Sequence, residues 1–313
     1  MRVVFLGTPT FAVPSFKKLL KNSYEICCVF TQPDRPSGRG QKLQQSPIKT
    51  VAVENGIQVF QPDKIRNELN REIFAKLEPD FIVVVAYGQI LPEWLLRAAR
   101  LMAVNVHASL LPRYRGASPV ATAILNGDGF TGVTTMMMEE KLDSGPILLQ
   151  HTVPISPMMT TGELTANLST VGGDLLIDTL DGIRQEKIRP VPQDESAATY
   201  APRITKETAR ITWEKCSPDI HNQIRAMNPW PVATTRFRGE RLFIWRSVPE
   251  TGSIDSPGSP ATFLGHSDNG IRIQCGEGTV LDVLEVQRPG KGRIGGRDFA
   301  NGARLRTGER IFS

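Results

Sequence analysis

The sequence predicts an α/β protein with a mostly parallel sheet in its N-terminal part and a small β-barrel in its C-terminal part. Over about the first 180 residues, short β-rich segments alternate with segments of helical periodicity, which is typical of parallel strands joined by crossover helices. Beyond a Pro-rich segment at 189–202, short alternating strands separated by Gly and Pro dominate. Short strands with turn residues between them favour a small barrel.

The N-terminal strands are predicted from runs of β-branched and apolar residues that end at turn residues. In chain order they are Arg2–Leu6, Ile26–Thr31, Gln58–Phe60, Phe81–Ala86, Ala103–His107, Gly132–Met138 and Ile147–Ile155. Helices are predicted where apolar residues recur every three or four positions. They are Phe11–Leu20 with Pro14 in its first turn, Pro47–Asn55, Ile65–Leu77, Pro119–Leu125 and Gly162–Leu180. The run at 81–86 is apolar throughout, so it is expected to be the central strand, buried on both faces.

Four short strands and one helix are predicted in the C-terminal part. The helix is Pro218–Met227, and the strands are Thr234–Phe237, Leu242–Arg246, Gly270–Cys275 and Thr279–Val286. The polar, Pro-rich stretch before them is typical of an inter-domain linker. The sequence therefore predicts an N-terminal domain at 1–188, a linker at 189–205 and a C-terminal barrel domain at 206–313.

Composition and charge narrow the class of protein. No apolar run approaches the ~20 residues of a membrane-spanning helix, and the N-terminus has no signal-peptide pattern, so a cytoplasmic protein is expected. The four cysteines form no C-x-x-C pair, so neither a zinc site nor a redox dithiol is predicted. Residues 1–202 contain 20 basic and 20 acidic side chains and residues 203–313 contain 17 and 12, which accounts for the whole net charge of +5. This local excess suggests an acidic partner such as nucleic acid, although a solvated basic face is as common.

The segment N-V-H-A-S-L-L-P-R-Y-R-G at 105–116 carries the strongest chemical pattern. Asn105 and His107 are two residues apart at the end of a predicted strand, so both side chains project from one face. In an open α/β sheet, ligands bind at this carboxyl end. An amide donor beside an imidazole suits a reaction that places negative charge on a carbonyl oxygen and moves a proton. Taken alone, an N-x-H pattern more often marks an ordinary polar residue at a strand end.

A second pattern, K-L-D-S-G-P at 141–146, places Asp143 in a tight turn. A turn aspartate often only caps the local backbone. If this carboxylate meets His107 in the fold, it would orient the imidazole ring and favour the imidazolium. The sequence leaves both alternatives open.

A long polar loop follows the second strand, at 32–49. It contains Arg35, Arg39, Lys42 and Lys49 but a single acidic residue. Loops of this length in compact domains are usually functional or disordered, and these basic side chains could contact phosphates. From charge alone, a flexible solvated loop is an equally good interpretation. A dinucleotide or P-loop site is not indicated, because the first strand is not followed by G-x-G-x-x-G and this loop contains no G-K-[ST].

These segments together resemble the folate-dependent formyltransferases. The segment at 105–116 and L-D-S-G-P-I at 142–147 are similar to two signatures of that family. T-Q-P-D-R-P-S-G-R-G at 31–40 resembles an insertion of its tRNA-acting member, and M-N-P-W-P at 227–231 resembles the opening of its C-terminal barrel. The resemblance covers nearly the whole chain. It implies a Rossmann-like formyltransferase catalytic domain followed by a tRNA-binding barrel of the oligonucleotide-binding type.

The resemblance also implies roles for individual residues. Asn105, His107 and Asp143 match the catalytic trio. The residues that match the folate-binding segments are Tyr87, Gly88, Gln89, Ile90, Leu91, Ser109, Leu110, Leu111 and Pro112. The residues expected to contact tRNA are Arg35, Arg39, Lys42, Lys49, Lys291 and Arg293. One departure is Ala121, which stands where the family pattern has a glutamine.

The reaction implied by the resemblance moves the formyl group of 10-formyltetrahydrofolate to the free amine of initiator methionyl-tRNA, in a monomer that needs no metal and no membrane. The nearest alternatives are the same transfer to a sugar-nucleotide amine and a formyl-folate hydrolase. The basic loop argues against both, because small acceptors do not need it. A non-catalytic RNA-binding protein would leave the trio unexplained, and an NAD-linked oxidoreductase would need the missing glycine fingerprint.

Overall fold

The computed structural model describes residues 1–37, 42–254 and 258–313, with only the backbone described at Ser37 and Lys42. These residues divide into two compact units. Unit 1 consists of Met1–Pro119, Thr131–Pro154 and Thr165–Ala201. Unit 2 consists of Val120–Phe130, Ile155–Leu164 and Pro202–Ser313. No helix in the described parts of the chain is long and apolar enough to cross a membrane.

The N-terminal two thirds of the chain alternate strands and helices, as the sequence predicts. The strands are β1 (Arg2–Gly7), β2 (Glu25–Phe30), β3 (Arg35–Ser37), β4 (Lys42–Gln44), β5 (Val59–Phe60), β6 (Phe81–Val85), β7 (Met102–His107), β8 (Arg115–Gly116), β9 (Phe130–Met137), β10 (Ile147–Pro154) and β11 (Tyr200–Ala201). The helices are α1 (Val13–Lys21), α2 (Pro47–Glu54), α3 (Glu68–Leu77), α4 (Glu93–Leu96), α5 (Pro119–Leu125) and α6 (Thr161–Arg184). All seven predicted strands of this region and its five predicted helices are confirmed, with shifts at their ends.

The main sheet of unit 1 has seven strands in the order β10-β9-β7-β6-β1-β2-β5. The pairs β1–β2, β1–β6, β2–β5 and β6–β7 are parallel, whereas β7 and β9 are antiparallel. The predicted mostly parallel α/β fold is therefore confirmed. The chain crosses from one side of β1 to the other before β6, so the carboxyl ends of β1, β6 and β7 share one edge of the sheet at a topological switch point, the usual ligand-binding position of such folds.

The centre of this sheet is apolar on both faces. Every residue of β6 is at most 6% exposed, and Val3 to Leu6 of β1 are fully buried. A cluster of aromatic rings covers one side, where Phe30 stacks on Phe60 and Phe74 with ring centroids 5.0 and 4.9 Å apart. Burial of this area supplies the main driving force for forming unit 1. The prediction that 81–86 is the central strand is confirmed, except that Ala86 lies outside it in a left-handed conformation (φ 48°).

Unit 1 contains α4, β8 and β11, which are not among the predicted elements, and it differs from the sequence prediction at helix α3 and in the loop after β2. Helix α3 begins at Glu68 rather than Ile65, because the Asn67 side chain caps it by accepting a hydrogen bond from Asn70 N at 2.9 Å. The backbone N–H of Ile65 instead donates to Gln89 Oε1 at 2.8 Å. The long polar loop after β2 is not wholly irregular, because β3 and β4 pair as an antiparallel ribbon.

Unit 2 is built on an antiparallel sheet. Its strands are β12 (Ala233–Phe237), β13 (Glu240–Ser253), β14 (Phe263–His266), β15 (Ile271–Gln274), β16 (Thr279–Gln287) and β17 (Arg293–Gly295), and its helices are α7 (Ser217–Ala226) and α8 (Gly296–Ala303). The strand order is β12-β13-β16-β15-β14, and β17 pairs with β16. All four predicted strands and the predicted helix are present. Strands β14 and β17 and helix α8 are not among the predicted elements.

The C-terminal tail joins the two edges of this sheet. Arg236 of β12 and Ser313 exchange backbone hydrogen bonds at 2.9 and 3.1 Å. On the opposite edge, Phe263 N donates to Glu309 O at 2.9 Å and Gly308 N donates to Phe263 O at 2.8 Å. Residues 308–313 thus satisfy both edge strands and close the sheet into the predicted small β-barrel.

His221 is buried between α7 and the barrel, with 6% of its surface exposed. Its Nε2 lies 2.9 Å from Pro157 O and its Nδ1 lies 3.1 Å from Ser247 Oγ. Because a carbonyl only accepts, Nε2 carries the hydrogen and Nδ1 accepts from the serine hydroxyl. The neutral ring is therefore fully hydrogen-bonded, and burial lowers the pKa of the His221 imidazole.

The stability of unit 2 is expected to fall as the pH drops below about 6.5, the usual pKa of histidine in an unfolded chain. Because the folded pKa of His221 is lowered, the unfolded chain binds more protons in this range, so acid favours unfolding. Urea unfolding between pH 5 and pH 8 measures this dependence. It should weaken in His221→Asn and persist in His266→Asn, whose imidazole is exposed. Identical pH dependence in wild type and His221→Asn would contradict this assignment.

Candidate active site

Asn105 and His107 lie on the same face of β7, at the carboxyl edge of the sheet of unit 1. Their side chains are almost covered, with 8% and 7% of each residue exposed. The side-chain amide of Asn105 makes no hydrogen bond to any residue in the described parts of the chain, and it remains accessible to solvent. A nearly buried amide without a protein partner is an available donor for a reacting group that enters from this edge.

The imidazole of His107 is oriented by the backbone. Its Nε2 lies 2.9 Å from Tyr114 O, so Nε2 carries a hydrogen and donates it to this carbonyl. Its Nδ1 lies 3.7 Å from Asp143 Oδ2, too far for a hydrogen bond. The ring is thus held through Nε2, and Nδ1 is the nitrogen that faces the carboxylate and remains available to a substrate.

Asp143 lies in the turn between β9 and β10, in a left-handed conformation (φ 49°). Its Oδ2 accepts a hydrogen bond from Gly116 N at 2.8 Å, and its side chain is 15% exposed. The segment that holds the carboxylate is therefore the one that holds the imidazole, because Tyr114 and Gly116 are two residues apart. An aspartate at positive φ is uncommon and costs backbone energy, so other contacts must stabilise this turn.

The structure brings together two motifs whose proximity could not be predicted from the sequence. The N-x-H pattern of β7 and the L-D-S-G turn meet through His107 and Asp143. The alternative in which Asp143 only caps its own turn does not describe it, because its carboxylate reaches Gly116, 27 residues away. Within the described residues, no group of His, Cys, Asp and Glu is arranged to hold a metal ion.

The first predicted folate-binding segment, 109–112, is shaped by a buried hydroxyl. Thr134 Oγ1 donates to Ser109 O at 2.7 Å and accepts from Leu111 N at 3.1 Å. Gln150 Nε2 donates to Leu111 O at 2.8 Å, and the Leu111–Pro112 peptide bond is cis. Leu110 packs over Gly132, where a Cβ would lie only 2.5 Å from the leucine side chain. Thr134 and Gln150 thus fix a segment that the sequence indicated, although no sequence pattern indicated either residue.

The second predicted folate-binding segment, 87–91, presents its backbone to the same edge. The Tyr87 ring is buried in the core, whereas its carbonyl accepts from Thr8 Oγ1 and Gln32 Nε2, both at 3.1 Å. The Gln89 side chain is occupied with the loop at 62–65, through Pro62 O, Asp63 O and Ile65 N. Gly88 has a positive φ of 88°, Ile90 is 75% exposed and Leu91 is buried. This geometry suits backbone recognition, because the Gln89 side chain has other partners and the Tyr87 hydroxyl is buried in the core, where it makes no hydrogen bond.

Of the predicted tRNA-contacting residues of unit 1, Arg35 and Lys42 belong to the β3–β4 ribbon and Lys49 belongs to α2. Arg35 is exposed on β3, Arg39 lies outside the described residues, and only the backbone of Lys42 is described. Lys49 is different, because its ammonium pairs with Asp34 Oδ2 at 2.6 Å. Asp34 also accepts from Gln61 Nε2 at 2.7 Å, and these two hydrogen bonds lower the pKa of the Asp34 carboxyl. In this structure Lys49 holds the base of the loop, so its predicted phosphate contact would require it to leave or share this pair.

The predicted tRNA-contacting residues of unit 2 surround the β16–β17 turn. Lys291 is exposed. The guanidinium of Arg293 lies over the Trp245 ring, 3.3 Å from its centroid, and 3.8 Å from Glu285 Oε2. A stacked guanidinium keeps N–H donors directed outward, so Arg293 is held in place without being neutralised by a short ion pair. Both residues are exposed at this turn, and their contact with tRNA stays a prediction.

Comparisons with known proteins match most of the chain. The family described as "Formyl transferase" matches residues 1–180, and "Formyl transferase, C-terminal domain" matches residues 203–304. The chain is 44% identical to "Methionyl-tRNA formyltransferase" of Methylococcus capsulatus over 99% of each chain. It is 47% identical to the protein of the same name from Clostridium novyi over 93% of each chain.

Solved structures share the fold at lower identity. An N-formyltransferase from Helicobacter canadensis in complex with folinic acid and dTDP-3-aminofucose matches with a TM-score of 0.68 and 22% identity, covering 90% of this chain and 98% of that one. HypX from Aquifex aeolicus in complex with tetrahydrofolic acid matches with a TM-score of 0.63 and 15% identity, covering 96% of this chain and 47% of that one. At these identities the likeness concerns the fold alone.

Proposed function

We propose that this chain, which belongs to the formyl transferase family, transfers the formyl group of 10-formyltetrahydrofolate to the α-amino group of initiator methionyl-tRNA. The observation that carries the proposal is the arrangement at the edge of β7, where the partnerless amide of Asn105 lies on the same face of the strand as His107, whose Nδ1 is 3.7 Å from Asp143 Oδ2. Full-length relatives that carry the name of this activity, at 44% and 47% identity, support the choice of acceptor.

The residues of the trio suit acyl transfer to an amine. The donor supplies an electrophilic formyl carbon, and attack by the amine places negative charge on the formyl oxygen. The Asn105 amide donates a hydrogen bond to that oxygen, and His107 donates a second one from Nδ1 when it is protonated there. Donors fixed in advance around a developing oxyanion are among the largest contributions to enzymatic rate.

In this proposal Asp143 transfers a proton from the attacking amine to the folate. Bond formation between the amine nitrogen and the formyl carbon leaves the amine with one proton too many, while the departing N10 of the folate needs one. The Asp143 carboxylate, 15% exposed and next to Nδ1 of His107, accepts the first proton directly or through a water and returns it to N10 as the carbon–N10 bond breaks. The trio is regenerated, and no oxidant or metal is needed.

Substrate binding is assigned to the surrounding segments. The fixed segment 109–112 and the backbone of 87–91 would line the folate, the latter through N–H and C=O groups that match the edge of the pterin. Arg35, Arg39, Lys42, Lys291 and Arg293 would contact tRNA phosphates, so binding should weaken as salt rises. A monomeric protein in the cytoplasm, where charged tRNA and reduced folate are available, completes the proposal.

Formyl transfer from 10-formyltetrahydrofolate tests the function directly. Purified protein is assayed with charged initiator tRNA, with charged elongator methionine tRNA, and with an aminated sugar nucleotide. We expect rapid product on the initiator tRNA and little on the other two acceptors. Product on the sugar nucleotide alone would replace the proposal with its nearest alternative, and no product on any tRNA would end it.

A further inference from the structure

The side chain of Gln193 is attached to the turn that carries Asp143. Its Nε2 donates to Asp143 O at 2.9 Å and to Gly145 O at 2.7 Å. A carboxamide nitrogen has two hydrogens, so both are used on two carbonyls of one turn. This turn holds Asp143 at a φ of 49°, and the two hydrogen bonds are contacts from outside the turn that help to keep it there.

The opposite end of the same amide is fixed by Arg115. Gln193 Oε1 accepts from Arg115 Nε at 3.1 Å and from Nη2 at 2.8 Å. The guanidinium is only 2% exposed and makes two further hydrogen bonds to the Glu195 carboxylate, at 3.0 and 2.8 Å. Because a guanidinium only donates and a carbonyl only accepts, the amide has one possible orientation and all of its donors are used.

The segment that contains Gln193 also supports the partners of the imidazole and the carboxylate. Thr199 accepts from Tyr114 N through its Oγ1 at 2.9 Å and from Arg115 N through its carbonyl at 2.8 Å. Strand β11 then pairs in parallel with β8. Tyr114 O orients His107, and Gly116 N holds the Asp143 carboxylate. Residues 193–201 therefore support the positions of both members of the His107–Asp143 pair.

The position of Gln193 in this segment indicates that its amide serves the turn rather than the fold as a whole. From 191 to 200 all residues are exposed except Gln193 and Ala198. Its ion-paired neighbour Glu195 is 69% exposed. This segment buries little apolar area. Loss of the Gln193 amide should therefore change the free energy of unfolding little, while it removes two hydrogen bonds that restrain the turn at Asp143.

We infer that Gln193 is a positioning residue for formyl transfer, which fixes Asp143 relative to Nδ1 of His107 through the turn, with Arg115 setting the direction of its amide. The inference rests on the proposed function for its catalytic consequence. It requires a carboxamide of this length: glutamate would direct a carboxylate oxygen at two carbonyls, methionine would supply no donor, and asparagine is one methylene shorter.

Gln193→Glu and Gln193→Met test the inference against Gln185→Glu, a matched control in which an exposed glutamine without a side-chain hydrogen bond in the described chain is changed in the same way. We expect kcat to fall by about 10–100-fold in both Gln193 variants, the range associated with small misplacements of catalytic groups. The KM values for folate and for tRNA should stay within about twofold, and Gln185→Glu should match wild type. A loss confined to KM, or a kcat within about twofold of wild type, would overturn the inference.

Amide hydrogen exchange in the turn at 139–146 provides a second readout that does not depend on the reaction. Exchange there should accelerate in Gln193→Met and stay unchanged in Gln185→Glu, with the melting temperature of each protein recorded alongside. If wild type transfers no formyl group, the proposed function fails, yet faster exchange still supports the attachment of the turn to Gln193. Unchanged exchange in a folded Gln193→Met would overturn the attachment whatever the activity.

Discussion

Replacing Asn105 with alanine is expected to lower kcat for formyl transfer by about 10²–10³-fold, the usual cost of removing one oxyanion donor. The reason is that the Asn105 amide makes no hydrogen bond to the described residues and is free to donate to the reacting oxygen, and β7 contains no other side-chain amide that could replace it. The expected effect on packing is small, because the substitution removes only the carboxamide and keeps the Cβ in place. We therefore expect folding and folate binding to be retained.

Three measurements separate the donor from the side-chain volume. Turnover is measured under saturating folate and tRNA, folate binding is followed by the shift in melting temperature, and Asn105→Asp is compared with Asn105→Ala. The aspartate keeps the shape but replaces a donor with an acceptor, so its kcat should be no higher than that of the alanine variant. Asn301→Ala, an exposed position on α8, serves as the control. A kcat of Asn105→Ala within about threefold of wild type would contradict the role.

The sequence predicted the parts of the site that depend on local periodicity. Alternation along a strand places Asn105 and His107 on one face whatever the rest of the fold does, and the uniformly apolar run at 81–86 could only be a buried strand or a buried helix segment. The same logic located the edge of the sheet at which both side chains project. These inferences needed no knowledge of contacts between distant residues.

The parts that the sequence left open depend on long-range contacts. Whether Asp143 reaches His107 depends on β9 pairing antiparallel with β7, and the strand pattern of 132–138 does not reveal direction. Gln193 reaches the turn from 50 residues away, inside a stretch whose proline content indicates only a linker. Polar side chains that bond to distant carbonyls leave no periodic trace, so they appear only in coordinates.

The C-terminal tail shows the same limit in the barrel. Its sequence after Gly302 has no clear strand pattern, yet residues 308–313 satisfy both edges of the sheet. The aromatic residue that anchors this closure is Phe312, which is 2% exposed. It stacks on Trp213 with ring centroids 5.0 Å apart and an interplanar angle of 17°, and it meets the edge of Phe237 at 6.4 Å. Phe312 therefore stabilises unit 2 in two ways, by burying its ring and by holding the tail against the edges of the sheet.

Phe312→Ala is expected to lower the free energy of unfolding of unit 2 by about 3–5 kcal/mol, the range for truncating a buried phenylalanine. The substitution would leave a cavity beside Trp213. It would also weaken the tail, which among the described residues is the only segment that joins β12 to β14. The surrounding residues could fill this cavity only by opening the barrel. Urea unfolding followed by tryptophan emission measures the change, because Trp213, Trp230 and Trp245 all belong to unit 2. Emission of the folded variant should also shift to longer wavelength as Trp213 becomes hydrated.

The control variant is Phe130→Ala, at a residue that is 54% exposed, and it should change the urea midpoint little. Equal midpoints for the two variants would mean that the tail does not close the barrel in solution.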